Sequence, residues 1–557
     1  MTHGDRATLA GLTLTAILVA GCGALAAPGS PPAAPELYVL QEAPAAATWP
    51  TPAPTATTAG EPFAPSTGGT DEPNDQPYGD MFFEDYGVNP RIDTEDDHLS
   101  TFAVDVDTGS YTVMRRYISD GYLPPDESVR VEEYINFFDQ AYAPPKEGAF
   151  AIHIDGAPSP YAENYHLVRV GLQGYELLPE DRPDVVLTFV VDVSGSMDRE
   201  DRLGLVKDSL DLLIDELRPT DQIAIVVYGT NAHTLLRHTP VSEAGTIRRA
   251  LHMLTPEGAT NAEEGLVLAY RLASQAFDPT AINRVVLCSD GVANVGRTGP
   301  ESIMSQIEEA AEEGIYMTTV GVGMGNYNDV LMEQLADRGD GFYAYVDDIR
   351  EAERLFVHQL PSTLQVIARD AKVQVDFNPE VVSRYRLIGY ENRDVADEDF
   401  RNDQVDAGEI GMGHSVTALY EVKLHSGVPA RVAEANVSDA EKPSGKSAAL
   451  RQINNILTVR LRWEDPASRQ VTEIERVLTR EELADRFEAA APQYQLTVTV
   501  AQYAEILRGS YWAKAAGTTL DDIAAEADRI ATSMPRDGDA QEFATLAHRA
   551  TSLSATE

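Results

Sequence analysis

A chain of 557 residues exceeds what one hydrophobic core supports, and its 43% of hydrophobic residues predicts about two to four folded domains. The 89 acidic residues outnumber the 43 basic ones, so the formal charge of -46 is typical of a well-solvated surface. Because no run rich in Lys or Arg interrupts this negative charge, nucleic acid and anionic membrane surfaces are excluded as general partners.

The first residues predict export. After Arg6, an apolar run from Ala7 to Ala20 has the length of a signal peptide and is too short to span a membrane comfortably. It ends in Gly21-Cys22, which resembles the lipobox of bacterial lipoproteins, so residues 1–22 are predicted to be a lipoprotein signal peptide with Cys22 as the lipidated residue. The alternative is an ordinary secretory signal that is cut after Ala24-Leu25-Ala26-Ala27. Both interpretations place the mature protein outside the cytoplasm.

Residues 23–80 are predicted to be a disordered tether. They are rich in Pro, Ala and Thr and show no apolar periodicity. The acyl chains of a mature lipoprotein would attach this tether to the cell membrane or the outer membrane.

Residues 81–182 are predicted to be an N-terminal flanking region that contributes β-strands. Apolar residues alternate with other residues from Phe150 to Ile154 and again from Val168 to Leu172, which is the period of half-buried strands.

Residues 183–368 are predicted to form a doubly wound, Rossmann-like α/β domain. The continuous apolar run from Val185 to Val191 is typical of a parallel strand that is buried on both faces. The apolar residues between Arg202 and Leu217 fall on one face of a helix. Strands and helices then alternate as far as a helix from Ile349, and sheets built in this way bind ligands at the C-terminal ends of their strands. The further predicted elements are strands at 223–228, 284–289, 315–322 and 341–346 and helices at 261–277, 300–313 and 328–336.

Residues 369–478 are predicted to form an antiparallel β-sandwich, because apolar residues alternate from Val373 to Phe377 and from Val416 to Leu424. The strands before Pro183 have the same character. We therefore predict that they join this sandwich and that the α/β domain is inserted between its two parts. Residues 479–557 are predicted to be a helical C-terminal tail.

Hydroxyl and carboxylate side chains follow the first strand of the α/β domain. The loop Asp192-Val193-Ser194-Gly195-Ser196 offers one carboxylate and two hydroxyls, and hard cations such as Mg²⁺ take oxygen ligands. Gly258-Ala259-Thr260-Asn261 precedes a predicted helix, and Ser289-Asp290-Gly291 follows another predicted strand. The three stretches are expected to meet at one edge of the sheet.

Together, these stretches resemble the metal-ion-dependent adhesion site of von Willebrand factor type A (VWA) domains. The resemblance implies that Ser194 and Ser196 bind the metal directly and that Thr260 binds it directly or through water. Asp192 and Asp290 would act mostly through waters. It also implies Mg²⁺ as the cofactor, with Mn²⁺ or Ca²⁺ as alternatives, and a partner that offers an acidic residue to an open coordination position. A metal-free turn that serves only the fold is the competing interpretation.

The wider chain resembles a bacterial group of exported VWA proteins that are labelled Ca-activated chloride channel homologues. The matching stretches run from Ser100 to Tyr111 and from Ala501 to Ser510, so the resemblance includes regions on both sides of the VWA domain. The channel label itself is not supported, since no segment after Ala20 has the length and hydropathy of a membrane span.

Other functions are less well supported by the sequence. Asp107-Thr108-Gly109-Ser110 is similar to the catalytic loop of an aspartic protease, but that chemistry needs two carboxylates, and the chain has no second such motif. A zinc protease is not supported because the His-Glu-x-x-His motif is missing. We therefore expect a protein-binding module and no enzymatic activity. A structural envelope protein, whose self-association survives chelation, is the alternative.

Overall fold

A computed structural model of the chain describes residues 81–555 except 105, 177–181, 292–299, 324–326, 360–364, 404, 406, 426–453 and 467. The predicted signal peptide, Cys22 and the tether lie outside the described residues. No helix within the described ranges is long and apolar enough to cross a membrane.

The region before the α/β domain contains helices as well as strands. Its elements are β1 (Met81–Phe82), β2 (Ile92–Asp93), β3 (Leu99–Ala103), α1 (Gly109–Ser119), α2 (Val131–Asn136), β4 (Phe150–Pro158) and β5 (Tyr165–Gly174). The sequence predicts only strands here. Helix α1 buries every residue from Gly109 to Arg115, polar ones included, so its polar positions do not mark the exposed face by which a surface helix is predicted.

The inserted domain has a six-stranded sheet with helices on both faces. Its elements are β6 (Val185–Asp192), α3 (Leu205–Glu216), β7 (Gln222–Tyr228), β8 (Ala232–Pro240), α4 (Ala244–His252), α5 (Ala262–Ala276), β9 (Ile282–Ser289), α6 (Pro300–Glu312), β10 (Ile315–Val322), β11 (Tyr327–Asn328), α7 (Asp329–Arg338), β12 (Phe342–Val346) and α8 (Ile349–Glu353). The strand order is β12-β10-β9-β6-β7-β8, and all neighbours are parallel except the edge pair β7 and β8. The predicted doubly wound fold is confirmed. Strand β6 lies inside the sheet and is buried along its whole length.

The β-sandwich combines strands from both sides of the α/β domain. The later strands are β13 (Val366–Phe377), β14 (Val382–Ile388), β15 (Gly408–Gly411), β16 (Ser415–Leu424), β17 (Asn455–Glu464) and β18 (Val471–Thr479). One sheet has the order β2-β14-β16-β5-β4, and in the other β13 pairs with β3, β15 and β17, which in turn pairs with β18. Because β5 pairs with β16 from Tyr165 opposite Lys423 to Gln173 opposite Ser415, the predicted insertion is confirmed.

The C-terminal region is helical, as predicted, with α9 (Pro492–Leu507), α10 (Tyr511–Ala516), α11 (Leu520–Ser533) and α12 (Gly538–Ser554). These helices do not form a separate tail. They share one hydrophobic core with α1 and α2, in which the rings of Tyr503 and Phe543 lie 5.4 Å apart and Phe138 contacts Phe543 at 5.9 Å. The two ends of the described chain therefore build one helical layer.

Candidate metal centre

The five predicted site residues lie on three loops at one end of the parallel sheet. Asp192 is the last residue of β6, and Asp290 directly follows β9. Thr260 comes just before Asn261, whose side chain accepts a hydrogen bond from Glu264 N and caps the N-terminus of α5. Strands β6 and β9 are parallel neighbours, so their carboxyl ends bring the two aspartates to the same edge.

Hydrogen bonds link three of these five side chains directly, and the side chain of Asp192 is bonded to the backbone of the same loop. The hydroxyl oxygens of Ser194 and Ser196 lie 3.0 Å apart, and Ser196 Oγ donates to Asp290 Oδ1 at 3.0 Å. Asp192 Oδ1 accepts a hydrogen bond from the Ser194 amide at 2.8 Å. The structure therefore brings together the residues that the sequence pattern groups.

Thr260 reaches the site through the backbone of its loop. The Gly195 amide donates to the Gly258 carbonyl at 3.1 Å, so this loop lies against the Asp192–Ser196 loop. Gly258 has a φ of +74°, and a Cβ atom there would lie 1.9 Å from Thr230 Oγ1. Thr230 Oγ1 in turn accepts a hydrogen bond from Ala259 N at 3.1 Å. A side chain at position 258 would displace the loop that carries Thr260.

Ser289 holds the second oxygen of Asp192. Its hydroxyl donates to Asp192 Oδ2 at 2.9 Å and accepts a hydrogen bond from the Gly291 amide at 3.2 Å. Both carboxylate oxygens of Asp192 therefore have fixed donors. The sequence pattern includes Ser289 in its motif but assigns it no role, although a hydroxyl at the end of a buried strand is a usable signal.

Arg202 is a member of the site that the sequence pattern misses. It lies in a π-helical turn, Glu200–Gly204, directly before α3, and its side chain is 5% exposed. Arg202 Nη1 donates to the Ser196 carbonyl at 2.8 Å and forms a close ion pair with Asp290 Oδ2. An arginine at the start of a predicted helix is ordinary, so the sequence gives no signal for this contact.

The two carboxyl groups are buried, with Asp192 0% and Asp290 1% exposed. Burial raises the pKa of Asp192 above its ordinary value, and hydrogen bonds from Ser194 and Ser289 offset part of that rise. Burial also raises the pKa of Asp290, against the hydrogen bond from Ser196 and the charge of Arg202. Two buried carboxyls beside one guanidinium form a site that a cation would stabilise.

The oxygen set fits a hard divalent cation. Within the described ranges, no group of three or more His, Cys, Asp or Glu side chains forms a metal cluster. The site instead offers two carboxylates and the hydroxyls of Ser194 and Ser196, and Thr260 stands on the adjoining loop. Mg²⁺ prefers such oxygen ligands and usually keeps several waters, so a set with few direct carboxylates is chemically suitable.

Asp107, the residue of the protease-like motif, has a structural position. It is 3% exposed, and its Oδ1 accepts a hydrogen bond from the Tyr343 amide at 2.9 Å. Arg393 lies 3.8 Å from its Oδ2. This carboxylate therefore ties the segment before α1 to strand β12 and to a loop of the β-sandwich.

Three family models match separate parts of the chain. The family model described as "von Willebrand factor type A domain" matches residues 187–292, which include all five predicted site residues. The model described as "von Willebrand factor" matches residues 77–169, and the model described as "Uncharacterized protein YfbK, C-terminal" matches residues 362–553.

Individual relatives cover different parts of the chain. The uncharacterized protein YfbK of Escherichia coli (strain K12) is 36% identical over 440 residues, which are 78% of this chain and 75% of that protein. Inter-alpha-trypsin inhibitor heavy chain H2 of Mus musculus is 27% identical over 154 residues, 26% of this chain and only 16% of that protein. The solved structure of a von Willebrand factor type A protein from Catenulispora acidiphila has a TM-score of 0.37 at 15% identity, covering 69% of this chain and 87% of its own. The chain therefore belongs to the YfbK family, as a bacterial protein that combines a VWA domain with a C-terminal YfbK region.

Proposed function

We propose that this protein is a metal-dependent protein-binding module, displayed on the cell envelope through lipidated Cys22, and that it is not an enzyme. It would use Mg²⁺ in the VWA domain to bind an acidic residue of a partner protein. The observation that carries the proposal is the linked set of Ser194 Oγ, Ser196 Oγ and Asp290 Oδ1, at the strand end where a type A domain binds its ligand.

We assign each site residue the role that the resemblance implies. The hydroxyls of Ser194 and Ser196 would hold the ion directly, and Thr260 would hold it directly or through water. Asp192 and Asp290, whose carboxylates are buried, would hold its water ligands, as the resemblance implies. When bound, Mg²⁺ supplies a position that accepts an oxygen of a partner carboxylate.

The hydrogen bonds of the two aspartates favour binding over catalysis. Asp192 accepts from Ser194 and Ser289, and Asp290 accepts from Ser196 and pairs with Arg202. Both carboxylates are buried and already accept hydrogen bonds from the protein, so a substrate has little access to them. This supports the expectation of a binding protein.

Calorimetric titration of the full chain with Mg²⁺, Mn²⁺ and Ca²⁺ tests the metal site. We expect one binding site in the wild type that is lost in Ser196→Ala. Ser274→Ala is the matched control, since Ser274 Oγ donates to the Tyr270 carbonyl at 2.8 Å within α5, away from the site. Wild-type protein that binds none of the three ions would overturn the proposal.

Partner binding and anchoring need separate measurements. Envelope proteins retained on the immobilised chain with Mg²⁺ should be released by EDTA and should not be retained by Ser196→Ala. Self-association that survives EDTA, without such retention, would favour the structural alternative. Incorporation of labelled fatty acid into the wild type, but not into Cys22→Ala, tests the lipid anchor.

A further inference from the structure

Arg202 brings a positive charge into the site proposed to hold a cation. Its Nη1 atom contacts both the Ser196 carbonyl and the Asp290 carboxylate, and Ser196 also donates to Asp290 through its hydroxyl. The guanidinium is therefore bound to two of the residues that would surround the metal. It competes with any metal ion for the charge of Asp290.

The surrounding chain is shaped to hold this arginine. A Cβ atom at Gly323, which has a φ of +71°, would lie 2.5 Å from Arg202 Cγ, so only glycine leaves room for the side chain there. The π-helical turn Glu200–Gly204 aims Arg202 into the site rather than along the surface of α3. The backbone at Gly323 and the backbone of the turn Glu200–Gly204 thus both support the contact between Arg202 and Asp290.

The turn that carries Arg202 is attached to the flanking helix α1. Asp201, the neighbouring residue, accepts a hydrogen bond from Arg116 Nη2 at 3.1 Å. Helix α1 is itself fixed on the VWA domain, because Thr112 Oγ1 donates to the Tyr345 carbonyl at 2.8 Å and Arg115 Nε donates to Asp347 at 2.8 Å. A continuous set of contacts therefore runs from α1 to Asp290.

We propose that Arg202 is an internal counter-cation of the metal centre, held in place by helix α1, and that it lowers the affinity of the centre for divalent cations. This inference rests on the proposed function. It adds that the flanking region sets how tightly the VWA domain binds its ion. A partner that moved α1 would thereby raise the metal affinity.

The direction of the effect follows from charge. A guanidinium that neutralises Asp290 removes half of the carboxylate charge that would attract a metal, and it repels the ion itself. Removing this charge should tighten Mg²⁺ binding by about 10-fold or more, given the strength of buried interactions between charges a few ångströms apart.

Calorimetric titration of the full chain with Mg²⁺ tests the counter-cation. Arg202→Gln should bind Mg²⁺ more tightly than the wild type, whereas Arg202→Lys, which keeps the charge, should not. The matched control is Arg248→Gln, which removes the same charge from a surface arginine of α4 that pairs with Asp211 and Asp215. Its Mg²⁺ affinity should equal that of the wild type.

Asp201→Asn tests whether α1 holds Arg202 in place. This role and a simple charge effect predict changes in Mg²⁺ affinity of opposite sign. Loss of a negative charge near the site would by itself weaken Mg²⁺ binding. If α1 holds Arg202 through Asp201, the variant should instead bind Mg²⁺ about 2- to 3-fold more tightly, as expected for release of a partly exposed ion pair.

The thermal unfolding midpoint provides a second measurement. Without Mg²⁺, Arg202→Gln should unfold at a lower temperature than the wild type. Saturating Mg²⁺ should raise the unfolding midpoint of Arg202→Gln by more than it raises that of the wild type.

If the wild type binds Mg²⁺ and Arg202→Gln binds Mg²⁺ no more tightly, the counter-cation is overturned while the proposed function stands. If neither protein binds a divalent ion, both are overturned. A weaker or unchanged affinity in Asp201→Asn overturns the role of α1.

Discussion

Ser196 Oγ donates a hydrogen bond of 3.0 Å to Asp290 Oδ1, although 94 positions separate the two residues along the chain. Ser196 lies in the loop after β6 and Asp290 in the loop after β9, so the bond joins the ends of two neighbouring parallel strands. Because the two loops hold each other, residues that support either one should influence the proposed metal binding without touching the ion.

Ser289 is the first such residue. Ser289→Ala removes the donor to Asp192 Oδ2, so the carboxylate loses one of the hydrogen bonds that fix its orientation. We expect the affinity for Mg²⁺ at the proposed site to fall about 10-fold, the usual effect of losing a hydrogen bond that orients the groups around a metal. Calorimetric titration against Ser274→Ala measures the change. An affinity equal to that of the control would show that Ser289 does not orient Asp192.

Gly258 supports the loop that carries Thr260. Gly258→Ala places a Cβ atom 1.9 Å from Thr230 Oγ1 at a φ of +74°. Gly517→Ala is the matched control, since that glycine has a φ of +70° but nothing within 4 Å of the added atom. We expect the control to lose about 1 kcal/mol of stability from the left-handed backbone alone, and Gly258→Ala to lose more and to bind Mg²⁺ more weakly. If urea unfolding shows that Gly258→Ala and Gly517→Ala lose the same free energy of unfolding, this account is contradicted.

Glu505 predicts a dependence of stability on pH in the helical layer. Burial alone would raise the pKa of this carboxyl, but Arg508 and Arg386, with a hydrogen bond from Ser510, lower it to about 2. A lowered pKa contributes stability above the ordinary value of 4.5, and this contribution is lost as the pH falls towards 2. The free energy of unfolding of Glu505→Gln should therefore be about 3 kcal/mol below that of the wild type at pH 7. At pH 3 this difference should be smaller by about 2 kcal/mol.

Urea unfolding at the two pH values measures this difference. Glu475→Gln serves as the control, because the Glu475 side chain is 64% exposed and pairs only loosely with Arg460 at 3.5 Å. Its effect should be small at both pH values. A gap between wild type and Glu505→Gln that stays constant with pH would refute the lowered pKa.

Asp107 should matter for stability and not for metal binding. Asp107→Ala leaves the buried Tyr343 amide without its acceptor, which should cost about 2 kcal/mol. Asp107→Asn keeps an oxygen acceptor and should recover part of the loss. Thermal unfolding and Mg²⁺ titration of both variants check the two statements. A large change in Mg²⁺ affinity would mean that the loop has a functional role that its contacts do not explain.

The fold and most of the site could be predicted from the sequence for a definite physical reason. Strands that are buried on both faces, such as Val185 to Val191, are continuous apolar runs, and strands of a sandwich alternate. The ends of parallel strands meet at one edge, so Asp192 and Asp290 could be grouped before any contact was known. The insertion followed because strands with the same alternation stand on both sides of the α/β domain.

The rest depends on contacts that leave no local pattern. Helix α1 buries Ser110, Thr112 and Arg115, and α2 buries Glu132 and Glu133, so the polar residues of these helices do not mark a solvent-exposed face. Arg202 has the sequence context of an ordinary helix start, and the contact with Asp290 depends on the π-helical turn and on the segments packed around it. Such contacts are set by tertiary packing, which a single sequence does not display.

The pairing of β5 with β16 also determines the order in which parts of the molecule can fold during synthesis. A ribosome releases β4 and β5 before the α/β domain and completes β16 only afterwards. The α/β domain contains all six strands of its own sheet and can fold early. The edge of β5 that pairs with β16 stays unpaired until β16 is synthesised. Chains that terminate prematurely after α8 would keep that edge exposed, which makes them prone to aggregate during synthesis.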